Sequence, residues 1–95
     1  MQLARVVGTV VSTRKEQSIN GLKLLVVRPL DEEGRESGNA IVSADAVGAG
    51  LDEIVLIAAG SSARQTVTTD KRPIDSVVMA IVDSWYVGDD QKYKK

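Results

Sequence analysis

The chain has 95 residues, of which 43% are hydrophobic and 26% are charged, so we expect one domain with a thin core. It contains no Cys and no His, which excludes disulfides, thiolate chemistry and cysteine-based zinc sites and removes the commonest general base. A formal net charge of −1 gives no broad attraction to nucleic acid or anionic lipid.

Runs of β-branched and aliphatic residues recur along the chain and predict a series of short strands. The predicted strands are 3–13, 22–27, 39–44, 53–59 and 76–87. Gly8, in the middle of the first strand, indicates a bulge or a sharp bend. The segment Asp31–Arg35, between the second and third strands, predicts a hairpin turn.

A small polar segment, Gly60–Gln65, separates the last two predicted strands. Ser61 or Ser62 is expected to cap a single helical turn there. Five short strands with a helical turn before the last predict an all-β fold, a small OB-like barrel that spans residues 1–88. Residues 89–95 are expected to form a charged C-terminal tail.

Three of the predicted strands carry apolar residues at consecutive positions, at 24–27, 54–57 and 77–82. Neighbouring residues of a strand point to opposite faces, so these strands are apolar on both faces. Only one face of a barrel strand looks inward, and the outer face needs a cover. A second copy of the chain would provide it, which predicts an obligate oligomer. The alternative is that the loops and the helical turn cover the outer face.

Two glycines, Gly48 and Gly50, superficially match the start of a dinucleotide-binding motif. The third glycine position is occupied by Glu53, and a strand follows where that motif needs a helix. We interpret the glycines as a tight turn into the fourth strand, with Asp45 as a cap or turn residue. We expect no catalytic residue, no metal site and no cofactor, although Asp75 and Asp83 could supply paired carboxylates.

The segment Gly60–Gln65 has two interpretations. It is either a capped helical turn with a surface arginine or a subunit contact that lines a symmetry axis with Ser61, Ser62 and Arg64. Such a ring of hydroxyls and cations would favour small anions. Arg64 could instead pair with a carboxylate of a neighbouring subunit.

Single-stranded nucleic-acid binding is the alternative function, because OB barrels often use a basic groove with stacking aromatics. Here 12 basic residues are balanced by 13 acidic ones. Trp85 and Tyr86 are adjacent and therefore point to opposite faces of their strand. No stretch reaches the length of about 18 apolar residues that a membrane helix needs.

Several motifs occur together, in one order, over nearly the whole chain. They are Leu3–Thr13, Gly21–Leu25, Asp45–Gly50 with Glu53, Gly60–Gln65, and Pro73–Asp75 with Ala80–Asp83. With these motifs the chain resembles the vertex proteins of bacterial microcompartments, the CcmL/EutN family. The last residues, from Trp85 onward, do not belong to the shared pattern.

The resemblance implies a structural protein, not an enzyme, located in the shell of a microcompartment in the bacterial cytoplasm. It implies a homopentamer that caps the five-fold vertices of a shell tiled by hexameric shell proteins, with no nucleic-acid or membrane partner. The first 25 residues look more like members from catabolic metabolosomes. Within this interpretation Arg14, Lys15 and Glu16 are candidate rim residues that face the hexamers. Gly60, Ser61, Ser62 and Arg64 are candidates for a subunit contact or pore lining, and Gly48, Gly50, Asp45 and Glu53 for an interface turn.

Overall fold

The computed structural model describes residues 1–95 and contains seven strands and two short 3₁₀ helices. The strands are β1 (Gln2–Val10), β2 (Leu24–Pro29), β3 (Ile41–Asp45), β4 (Ile54–Ala59), β5 (Ser76–Ile81), β6 (Ser84–Val87) and β7 (Asp90–Lys94). The 3₁₀ helices are Gln17–Ile19, between β1 and β2, and Gly60–Arg64, between β4 and β5.

Strands β1 to β5 form a closed barrel in the order β1-β2-β3-β5-β4, which confirms the predicted all-β barrel. Every pairing is antiparallel except that of β3 with β5. Closure leaves no long unpaired edge, which would otherwise invite aggregation in strands this apolar. The hairpin turn after β2 is confirmed by the Asp31 amide, which donates to the Arg35 carbonyl at 2.8 Å.

The predicted bend at Gly8 is confirmed by a shift in the register between β1 and β2. Val6 lies opposite Val27, whereas Gly8 lies opposite Val26, so one extra residue is accommodated in β1. A bulge of this kind increases the local twist and helps a sheet to close on itself.

The barrel interior is filled by one cluster of small aliphatic side chains. Its members are Ala4, Val6, Leu25, Val27, Ala49, Val55, Ile57 and Val78. Two buried hydroxyls, Ser43 on β3 and Ser76 on β5, hydrogen-bond to each other at 2.9 Å. This pair extends the parallel junction of β3 with β5 and leaves neither hydroxyl unsatisfied.

A second apolar cluster lies on the other face of the strands. Val77 belongs to it, while its neighbour Val78 points into the barrel. The cluster comprises Ala44, Ala58, Ala63, Ile74 and Val77, with Ile19, Leu22, Leu24, Ala46 and Met79 packed against it. The chain's own loops therefore cover this part of the outer face, as the alternative interpretation of the sequence proposed.

The prediction of one continuous strand over 76–87 is wrong. β5 ends at Ile81, and the last hydrogen bond toward β4 runs from the Val82 amide to the Ile54 carbonyl at 2.8 Å. The chain then leaves the barrel, and β6 pairs with β7 in a separate two-stranded sheet. Within the predicted charged tail, 89–95, the residues Asp90–Lys94 form strand β7.

Side-chain contacts hold this C-terminal hairpin (84–94) against the β2–β3 loop. The rings of Trp85 and Tyr93 stack with centroids 5.2 Å apart, and the Trp85 indole N–H donates to the Glu32 carbonyl at 2.8 Å. Lys92 forms an ion pair with Glu33 at 2.8 Å. The hairpin therefore depends on contacts with residues that are distant in the sequence. The β-propensity of each segment by itself does not reveal such contacts.

Candidate assembly interface

The connection between β4 and β5 (60–75, hereafter the β4–β5 connection) carries the predicted contact residues. It opens at Gly60, whose φ of +64° favours glycine, and the Gly60 amide donates to the Asp75 carbonyl at 2.9 Å. The predicted serine cap is wrong. The 3₁₀ helix begins at Gly60 with Ala59 as its N-cap and no side-chain cap, so Ser61 and Ser62 lie inside the helix, exposed to solvent.

Hydrogen bonds fix the shape of the connection. The Arg64 guanidinium donates to the Ile74 carbonyl at 3.1 Å, so this arginine has a partner within its own chain. The buried Thr69 hydroxyl donates to the Ala63 carbonyl at 2.5 Å, and the Thr69 amide donates to the Thr66 hydroxyl at 3.0 Å. These hydrogen bonds therefore hold the β4–β5 connection in one conformation, and it presents a defined surface.

A single arginine ties this connection to the β1–β2 loop (11–23). The Arg72 guanidinium donates to the carbonyls of Ser18 at 3.0 Å and Asn20 at 3.1 Å. Both carbonyls lie in or directly after the first 3₁₀ helix. Together the two loops form the cover over the outer apolar cluster.

A shallow apolar groove of about 420 Å³ lies beside the β4–β5 connection. It is lined by Met1, Ala58, Ala59, Ser62, Gln65 and Met79. Sequence reasoning missed this groove, because its walls come from three separate parts of the chain. Of the residues predicted for a subunit contact or pore lining, only Ser62 lines this groove.

Apolar side chains also remain exposed on several loops of the single chain. Val67 is 101% exposed and Val11 is 86% exposed, and Met1 and Leu51 are also more than half exposed. Sequence reasoning missed Val67 as well, although a lone valine between two threonines was a usable signal. Such side chains leave apolar surface that a partner could bury.

Asp45 organises the turn that follows β3. Its carboxylate, 1% exposed, accepts the amides of Val47, Gly48 and Ala49 at 3.0–3.1 Å. Lys23 lies 3.5 Å away and compensates the buried charge. Gly48 has a φ of +82°, and Asp45 and Gly48 both lie in this turn. A role of these residues in a subunit interface stays a prediction.

Glu53 joins this turn to the end of the chain. One carboxylate oxygen accepts the Gly50 amide at 2.6 Å, and the other pairs with Lys95 Nζ at 2.6 Å. The hydrogen bond from Lys95, followed by that from Gly50, lowers the pKa of Glu53 below its ordinary value. Glu53 therefore stays ionised and acts as a structural acceptor.

The candidate rim residues lie on the exposed β1–β2 loop. Lys15 Nζ donates to the Ser12 carbonyl at 2.8 Å, and Glu16 accepts from both the amide and the hydroxyl of Ser18. The hydrogen bonds from Ser18 lower the pKa of Glu16. These hydrogen bonds shape the β1–β2 loop. Contact of Arg14, Lys15 and Glu16 with another shell protein stays a prediction.

Three further observations concern residues that other kinds of site would use. No group of three or more His, Cys, Asp or Glu side chains is arranged to hold a metal ion. None of the helices has the length and apolar character needed to cross a membrane. Trp85, the one indole that could stack on a base, already stacks on Tyr93.

Comparisons with known proteins define the class. A sequence model of the family described as "Ethanolamine utilisation protein EutN/carboxysome" matches residues 1–83. The carboxysome shell vertex protein CcmL of Nostoc sp. is 50% identical over 96 residues, covering 100% of this chain and 95% of that protein. The microcompartment shell vertex protein GrpN of Rhodospirillum rubrum is 50% identical over 84 residues, covering 88% and 94%.

Solved structures agree with the sequence comparisons. The chain superposes on a carboxysome subunit CcmL with a TM-score of 0.95 at 46% identity, covering 100% of this chain and 99% of that one. It superposes on the pentameric microcompartment shell protein GrpN of Rhodospirillum rubrum with a TM-score of 0.82 at 47% identity, covering 92% and 100%. The fold and these relatives define a class of microcompartment shell vertex proteins. The chain belongs to the EutN/CcmL family.

Proposed function

We propose that the chain forms a homopentamer that caps the five-fold vertices of a bacterial microcompartment shell in the bacterial cytoplasm. The observation that carries the proposal is the apolar surface that the single chain leaves uncovered, above all the fully exposed Val67 and the groove beside it. A ring of copies would bury such surface on both sides of each barrel. The pentameric GrpN structure supports five as the number of copies.

The proposed role is geometric and needs no chemical step. A sheet of hexameric shell proteins is flat, and it closes into a polyhedron when a pentamer replaces a hexamer at each corner. The pentamer's rim must match the hexamer edges in shape and charge. The exposed β1–β2 loop, with Arg14, Lys15 and Glu16, is the rim element in this proposal.

The proposal covers the vertex role that carboxysomal and other microcompartment relatives share. CcmL of Nostoc sp. and GrpN of Rhodospirillum rubrum are both 50% identical to this chain. The catabolic metabolosome, favoured by the first 25 residues, stays a prediction about the type of compartment. The relatives' names describe shell proteins, which favours a structural function over an enzymatic one.

Mass measurement of the purified protein tests the proposal. Light scattering after gel filtration, at micromolar concentration and neutral pH, is expected to give five times the chain mass of 10.2 kDa. A monomer under these conditions would contradict the proposal. A labelled single-stranded oligonucleotide, titrated at low salt, separates the alternative: salt-sensitive binding by a monomer would favour a nucleic-acid-binding module.

A further inference from the structure

We infer that Val67 of one copy inserts into the apolar groove of the neighbouring copy. The groove is the one lined by Met1, Ala58, Ala59 and Met79, with Ser62 and Gln65 at its edge. This inference rests on the proposed pentamer and adds the pair of surfaces that meet within it. Val67 is the knob of this contact.

The knob is exposed and also fixed in place. Val67 is 101% exposed, more than any other large hydrophobic side chain of the protein. It follows Thr66, whose hydroxyl accepts the Thr69 amide at 3.0 Å, and Thr69 is anchored on the Ala63 carbonyl. A valine on a pinned segment loses little further conformational freedom when a partner covers it, so it is preorganised for binding.

The groove complements the knob in shape and in chemistry. The small side chains of Ala58 and Ala59 contribute to its lining, and its two methionines can adjust to the shape of an inserted side chain. Its volume of about 420 Å³ accommodates the valine and part of the flanking threonines. Ser62 and Gln65 offer donors and acceptors to Thr66 and Thr68, which gives an apolar centre with a polar rim.

The relative position of the two features favours a ring. Gln65 borders the groove, and it also borders a second pocket lined by Arg64, Thr66, Val67 and Asp70. The knob and the groove are therefore close on one chain, yet Val67 does not fill its own groove, because it is fully exposed. A contact between two different patches is heterologous and closes into a ring when the rotation fits. A rotation brings two patches of successive copies into contact. If the two patches lie close together on one chain, they must also lie close to the rotation axis. The β4–β5 connection therefore lies close to that axis.

Single cysteines test the contact, because the chain has none of its own. Val67→Cys and Ala59→Cys are placed in separately tagged chains, co-expressed and mildly oxidised. The expected product is a disulfide-linked dimer that carries both tags, since a disulfide requires Cα atoms about 4.4–6.8 Å apart. The matched control replaces Val67→Cys by Val11→Cys, another highly exposed valine, and is expected to give no cross-link.

The outcomes separate this inference from the proposed function. A pentamer without the mixed cross-link, or one in which Val67→Cys links only to itself, overturns the inference and leaves the pentamer standing. A monomeric unmodified chain overturns the proposed function.

A second experiment uses a charged substitution. Val67→Asp is expected to shift the pentamer to smaller species without changing the circular dichroism spectrum, whereas Val11→Asp keeps the pentamer. A Val67→Asp variant that remains fully pentameric also overturns the inference.

Discussion

The barrel and the C-terminal hairpin are stabilised by different kinds of contact. The barrel encloses fully buried side chains such as Leu25 and Ile57, whereas no residue of the hairpin is buried. The hairpin is held by one aromatic stack, a few hydrogen bonds and exposed ion pairs. A two-stranded sheet is marginal alone, so the hairpin depends on its contacts with the rest of the chain. The family's sequence model matches residues 1–83 and ends where the hairpin begins.

The largest effect is expected from Leu25→Ala, which empties part of the barrel interior. Leu25 is 1% exposed, and such truncations typically cost about 3 kcal/mol because a cavity remains. Urea denaturation should show a lower midpoint with an unchanged slope. Val26→Ala, its partly exposed neighbour on the outer face, is the control and should cost clearly less. Equal costs would show that the interior is not the main source of stability.

A smaller and local effect is expected from Trp85→Ala. The change removes the stack on Tyr93 and the hydrogen bond to the Glu32 carbonyl, together worth about 1–2 kcal/mol. Amide hydrogen exchange should speed up in 84–94 and stay unchanged in β1 and β4. Trp85→Phe retains a stacking ring and should lose less protection. Faster exchange throughout the barrel would contradict the separation of the two units.

The smallest effect concerns the ion pair of Lys95 with Glu53, where the end of the chain returns to the barrel. The pKa of Glu53 is lowered from the ordinary 4.5, so its stabilising contribution is present above pH 4.5 and is lost as the pH falls through the lowered value. Lys95→Met should raise the pKa of Glu53 toward 4.5, although the Gly50 amide still holds it down. A carbon-13 NMR titration of the Glu53 carboxyl measures this change. Lys94→Met is the control, and an unchanged Glu53 titration in Lys95→Met would show that the pair does not form in solution.

Much of the barrel could be predicted because its signals are local. The aliphatic runs placed all five barrel strands, and Gly8 marked the bulge in β1. Asp45 and Gly48 were recognisable as turn residues, since an aspartate followed by glycines favours such a turn. The family was also recognisable, because its motifs occur in one order over most of the chain.

The remaining features depend on contacts between distant residues. Asp90–Lys94 has the composition of a solvated tail and forms a strand because Tyr93 meets Trp85. The cap predicted for Ser61 or Ser62 failed because the helix starts at Gly60, two or three residues earlier than such a cap allows, with Gly60 at positive φ. The groove combines Met1 with the outer faces of β4 and β5, a juxtaposition that appears only once the strands have been placed.

Arg72 has a mechanical consequence for the proposed ring. Its guanidinium, in the β4–β5 connection, donates to two carbonyls of the β1–β2 loop, so these two hydrogen bonds link the positions of the two loops. In the ring, the first loop would face the flat shell and the second the centre of the corner. Arg72 would then be one link by which a displacement of the β1–β2 loop reaches the β4–β5 connection.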